Sequence, residues 1–275
     1  MSLIFIIFKY FCTITTIKIF IMKKIILLLT AAVVFISCSK VGKDEFLITG
    51  TAKGIENGKT IVLETQDATG MMLAKDTVKV ENGKFEMKGT ITEPAFYTLQ
   101  LEGAQAKIPF ILENAEVKIE INKDSIQKSK VSGTYNNDEY MAFNEEITKV
   151  QKKLMDFQTK NMAAMNTAQQ AKDTVVINKL MQEFSKIQEE VNTASKDKYL
   201  TYAETHPKSF ISALIIQGML NDPSTDVAKS EKLYNSLEES LKKTKPGLAI
   251  KNKIAERKAP AAAGAAPAPA MPGNK

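Results

Sequence analysis

From Phe46 to Ile121 apolar residues recur at every second position in short runs, and after Gly133 the repeat lengthens to alternating steps of three and four. The first period belongs to half-buried strands, the second to helices with one apolar stripe. Strands are predicted at Thr60–Glu64, Thr77–Glu81, Lys84–Lys88, Ala95–Leu101, Ile108–Leu112 and Glu116–Ile121, with another near Phe46. In the last of these Val117, Ile119 and Ile121 face inward while Lys118 and Glu120 face water. Glu56-Asn57-Gly58-Lys59 and Glu81-Asn82-Gly83-Lys84 read as matching turns, because Asn-Gly suits paired positive-φ positions. Val78 and Val80 before the second turn, with Phe85 and Met87 after it, predict a hairpin. Pro109 cannot donate to a ladder, so its strand belongs at an edge or a bulge.

Two helical stripes follow, Tyr140, Phe143, Ile147, Val150, Leu154 and Phe157, then Ile177, Leu180, Phe184, Ile187, Val191 and Ala194. A weakly apolar stretch, Met162–Lys172, separates them as a bend, and Asp173 is a candidate cap for the second helix. His206-Pro207 ends that helix, since the residue before proline avoids helical geometry. Shorter helices are expected at Ser209–Leu220, at about 226–243, and from Lys245-Pro246-Gly247 to about Arg257. Each stripe spans only two to three heptads, so packing of the two helices on each other and on the third is favoured over a free coiled coil. The fold class is therefore α+β. An antiparallel β-sandwich-like domain of about seven strands (46–134) precedes an α-helical hairpin or bundle (136–257), and an Ala/Pro-rich tail (258–275) has too little apolar variety to bury a core.

The N-terminus carries an address. Met22-Lys23-Lys24, the apolar run Ile25–Ile36 and Ser37-Cys38 form a basic start, a short apolar stretch and a small residue before a cut. The run is shorter than the roughly 20 residues that span a hydrocarbon core. Met22 is read as the start, residues 1–21 as upstream sequence included by a start-site error, 22–37 as a signal peptide and 38–45 as a tether. Phe35-Ile36-Ser37-Cys38 resembles the bacterial lipobox, which implies cleavage after Ser37 and lipidation of Cys38. More than one acyl chain makes such an anchor stable. Lys40 and Lys43 precede the first acid, Asp44, which favours a periplasm-facing anchor, with the outer membrane as the expected site.

Composition narrows the chemistry. The formal charge of +6 is largely due to Lys9, Lys18, Lys23 and Lys24, ahead of the cut, and the remainder is nearly neutral. No basic stripe is left for phosphate neutralisation, so a nucleic-acid partner is not expected. One histidine and two cysteines exclude multi-histidine metal centres and a disulfide scaffold. No catalytic residue, metal ligand or cofactor site is expected. Glu145, Glu146, Glu189 and Glu190 are the available carboxylates for acid–base work, but lysines beside them point to a solvated face. His206 lacks a second histidine or cysteine to act with and reads as a helix-end residue.

Phe46-x-Ile48-x-Gly50, Asn82-Gly83-x-Phe85 and Pro207-x-Ser209 before an apolar helix, taken with the lipobox, resemble the N-terminal half of Bacteroidetes lipoproteins. In these a DUF4369-type domain and a helical segment precede the thioredoxin-like domain of a thiol:disulfide interchange protein. The resemblance runs from residue 22 to about 260. It implies a Cys-x-x-Cys redox domain beyond Arg257-Lys258-Ala259-Pro260, where this chain instead has its Ala/Pro-rich tail. Thiol exchange needs an attacking thiolate and a resolving partner, and lipidation of Cys38 would leave the mature chain with neither. The expected function is a membrane-anchored, non-catalytic binding or scaffolding module with an unidentified envelope partner or ligand. The alternatives are an interchange relative that has lost its redox domain and a chaperone-like helical holdase using Met162 and Met165.

Overall fold

The computed structural model describes residues 41–67 and 69–259. Eight strands form two four-stranded sheets. They are β1 (Glu45–Thr51), β2 (Thr60–Gln66), β3 (Met72–Lys79), β4 (Lys84–Thr90), β5 (Ala95–Leu101), β6 (Ile108–Leu112), β7 (Glu116–Glu120) and β8 (Lys130–Ser132). One sheet has the order β4-β1-β7-β8 and the other β3-β2-β5-β6. Neighbours are antiparallel except β1 and β7, which run parallel. Alternate residues of both sheets meet in one core, with Ile48, Ile61, Leu63, Leu99, Phe110 and Ile119 almost fully buried. Two apolar faces closed on each other give the α+β arrangement its sandwich.

The turn at Asn82-Gly83 forms as the Asn-Gly pair predicts, with both residues at positive φ and Glu81 and Lys84 exchanging backbone hydrogen bonds. The expected hairpin goes no further. Glu81↔Lys84 is an isolated bridge, after which β3 pairs with β2 and β4 with β1, in different sheets. The chain therefore changes layers at this turn. The other Glu-Asn-Gly-Lys turn differs: only Gly58 takes positive φ, and Asn57 Oδ1 accepts from the Asn82 backbone N–H at 2.8 Å.

Two glycines explain why β1 and β4 belong together. Gly50 lies opposite Phe85, and Phe46 lies opposite Gly89. A Cβ on Gly50 would sit 1.9 Å from the Phe85 ring, and one on Gly89 would sit 2.7 Å from the Phe46 ring. Each ring thus lies over a glycine across the ladder, a device that restores packing where glycine has no side chain.

Six helices follow, α1 (Tyr135–Ala171), α2 (Thr174–Thr205), α3 (Phe210–Leu220), α4 (Val227–Ser236), α5 (Glu239–Lys242) and α6 (Lys245–Lys258). The expected bend at Met162–Lys172 is absent, because α1 continues unbroken to Ala171. Ala, Gln and Met propagate a helix well even where the apolar stripe is thin. The reversal takes only Lys172, in left-handed conformation, and Asp173, whose Oδ1 accepts from the Val175 and Val176 N–H groups at 3.1 Å. The single helix expected at about 226–243 is two, broken where Leu237 turns extended to bury its side chain. Pro246 sits in the first turn of α6, where its missing N–H costs nothing.

Pro109 lies on β6, the edge strand of its sheet. That edge is where the helices attach. Asn137, fully buried on α1, accepts from the Ile111 N–H at 2.8 Å and donates to the Ile111 carbonyl at 2.7 Å. Its side-chain amide pairs with the strand as a neighbouring strand's backbone would, so the edge is capped rather than left open. Thr134 Oγ1, capping α1, accepts from both the backbone and the side-chain amide of Asn137. Ile111 itself packs in the helical core with Phe210, Ile216 and Ile250.

Candidate functional site

Where α1, α2 and α3 converge, aromatic rings cluster at the edge of the helical core, and one from the sandwich reaches them. Phe96 of β5 meets Tyr140 edge-on at 5.9 Å, and Phe143 packs against Tyr199 at 5.4 Å and Tyr202 at 4.4 Å. Beside them Asn136 Oδ1 accepts from the Phe210 N–H at 2.9 Å, and its Nδ2 donates to Glu113 Oε2 at 2.8 Å. Tyr202 Oη lies 2.8 Å from Glu139 Oε2 and 2.9 Å from Ser209 Oγ, and Ser209 also caps α3 through the Ile211 N–H.

Burial away from water pushes the Tyr202 phenol well above its usual range and Tyr140 up to about 12. The sign follows directly. Ionisation is easier in the unfolded chain, near pH 10, than in the folded one, so this stability is complete below pH 10 and is lost as pH rises through the folded pKa. Stability is expected to fall between about pH 10 and 12, and Tyr140→Phe should flatten part of that fall in urea melts across the range.

Over this joint opens a groove of about 720 Å³. Phe143 and Ile147 of α1, Leu200 of α2 and Leu214, Ile215 and Met219 of α3 supply its apolar walls, while Lys196, Asp197, Asp226 and Lys229 stand at the rim. The loop from Asp222 to Asp226 forms one side. Arg257, the chain's one arginine, clamps that loop by donating to the carbonyls of Asp222 at 3.2 Å, Pro223 at 2.7 Å and Thr225 at 2.9 Å. A planar five-donor fork does this where a lysine would reach fewer acceptors.

The carboxylates do not assemble. Glu145 and Glu146 both pair with Lys149, Glu146 also with Lys198, and Glu190 with Lys153. These hydrogen bonds hold Glu146 and Glu190 below the usual carboxylate range, opposite to what a general acid needs. His206 ends α2 with its ring stacked on Tyr202 at 4.2 Å and Nε2 3.5 Å from Glu139 Oε2. Met162 and Met165 lie within α1. Among the described residues no group of His, Cys, Asp or Glu is placed to hold a metal ion. Ser37 and Cys38 lie outside the described residues.

Sequence reasoning missed Asn136, Asn137, the capping role of Ser209 and the clamp of Arg257. Asparagine after a cap reads as a turn residue, and nothing local marks it as the partner of a strand. The one usable signal was a lone arginine among lysines.

Residues 46–140 match the model of a domain of unknown function, DUF4369. No curated protein and no solved structure matches the chain. The DUF4369 span takes in the sandwich from Phe46 onward and stops inside the second turn of α1, so it includes Asn136 and Asn137. The Phe46-x-Ile48-x-Gly50 and Asn82-Gly83-x-Phe85 patterns lie in that span, and the paired rings and glycines are their physical content.

Proposed function

We propose that the chain is a non-catalytic docking module of the bacterial cell envelope, held to a membrane by lipid on Cys38, whose groove takes an apolar segment of a partner protein. The observation that carries the reading is the groove: apolar walls, a charged rim and a clamped loop are the usual make-up of a binding cleft. Anchoring rests on the Met22–Cys38 pattern, with the periplasmic side of the outer membrane as the proposed location. Among the described residues no helix is long and apolar enough to cross a membrane. The DUF4369 span supports kinship with Bacteroidetes lipoproteins of the thiol:disulfide interchange group. With Cys12 and Cys38 as its two cysteines, the chain would serve such a system by binding.

Leu214 is half-buried on the groove wall, so Leu214→Glu should place a charge there and leave the fold intact. From gently solubilised envelopes, the full chain is expected to retain a defined partner that Leu214→Glu loses, with unchanged circular dichroism. Equal retention by both proteins, or activity lost on a Glu→Gln change, would refute the reading.

A further inference from the structure

Beyond their shared base, α1 and α2 continue as a two-helix arm whose sides differ in charge. The seam is marked by Leu154, Phe157 and Ala168 on α1 and by Leu180, Phe184 and Val191 on α2, and the rings of Phe157 and Phe184 lie 6.4 Å apart. Most residues one before the seam are charged, among them Lys153, Lys160, Glu183 and Glu190, with Thr167 an exception. The lysine–glutamate pairs that join the helices among the described residues, Lys153–Glu190 and Lys198–Glu146, are on this side.

Residues one after the seam lie on the other side, because equal rotations in antiparallel helices turn toward the same face. On α1 these are Gln151, Met155, Gln158, Met162 and Asn166, all exposed. On α2 they are Asn178, Met181, Ser185, Gln188 and Asn192, again all exposed. None is charged. Met155, Met162 and Met181 leave 58%, 60% and 55% of their surface in water.

A solvated face would carry the lysines and glutamates found opposite. This face reads as an unfinished helix–helix interface.

We infer that this face docks a second copy of the chain, arms antiparallel, as a four-helix bundle. Area supports that occupant. About 20 residues per helix at 1.5 Å rise, two helices wide, gives roughly 600 Å² per copy and about 1,200 Å² in all, which clears the ~1,000 Å² a specific interface requires. Charge agrees, since two uncharged faces meet without repulsion and without burying an unpaired ion. Orientation follows from a step in the molecule. The groove residues Asn144 and Lys196 lie on the same uncharged-side positions and face α3, so α3 rises over the base of that face. Parallel arms would drive the two α3 layers together, whereas antiparallel arms set each tip against the other's step. A two-fold axis across the arm then brings Gln158 opposite its own copy.

The test uses the full chain in detergent, with mass read by sedimentation velocity corrected for bound detergent. Wild type is expected to be a dimer at about 50 μM, and Gln158→Glu and Gln158→Lys are each expected to be monomers, with at least a tenfold weaker association. An equimolar mixture of the two should recover the dimer, and Lys160→Glu on the charged side should remain dimeric. Helical circular dichroism at 222 nm, unchanged in every variant, separates dissociation from unfolding. A monomeric wild type overturns the inference, including one that instead suppresses aggregation of an unfolded protein. A dimer that survives Gln158→Glu overturns it too, as parallel arms would produce by placing Gln158 against Ser185. None of the ten docking residues lines the groove, so Leu214→Glu should leave the dimer intact.

Discussion

Asn137→Ala should cost about 4 kcal/mol of stability. The change strands two buried backbone groups at once, the N–H and the carbonyl of Ile111, each at about 1–3 kcal/mol. Ile111 is itself fully buried, so water cannot replace the amide without opening the joint. Asn137→Asp should be no better, because it returns the acceptor but sets a carboxylate against the Ile111 carbonyl. Urea unfolding supplies the global number, and amide exchange at Ile111 supplies a local one. A loss under about 1 kcal/mol, with Ile111 still protected, would mean that Asn137 does not cap the edge.

Gly50→Ala should cost about 2–3 kcal/mol although it adds one methyl group. Backbone conformation is not the reason, since Gly50 is absent from the positive-φ glycines. The cost is steric: the new Cβ would fall 1.9–2.6 Å from three carbons of the Phe85 ring. The ring is 5% exposed and held in the sandwich core, so it cannot swing into water. Phe85→Leu alone loses packing, roughly 1–2 kcal/mol. In the double variant the smaller side chain frees the space, and the combined loss should fall short of the sum by about 1 kcal/mol. Simple additivity would show that the ring and the glycine do not share that site.

These two positions also mark how far sequence alone reaches. Period-two runs identify seven of the eight described strands, and the cap at Asp173 places a helix start, because both signals are local; the three residues of β8 are too few to show a period. The allocation of β3 and β4 to different sheets is not local. The Asn82-Gly83 turn is compatible with a long hairpin or a single bridge, and the ring-over-glycine pairs of β1 and β4 decide between them. Helix α1 outran its stripe because the residues from Met162 to Ala171 propagate helix without an apolar face. The groove was invisible for another reason. Its walls are ordinary core residues, and only the placement of α3 against the base of the arm leaves them uncovered.

The proposed function stands or falls with docking at this groove. The decisive experiment places a photoreactive amino acid at position 214 of the full chain and activates it in cells that express the protein. A second variant carrying the same group at Lys118, on the exposed face of β7, serves as its counterpart. A discrete cross-linked protein is expected from position 214 and none from position 118. A cross-link confined to position 118, or the same pattern from both, would contradict it.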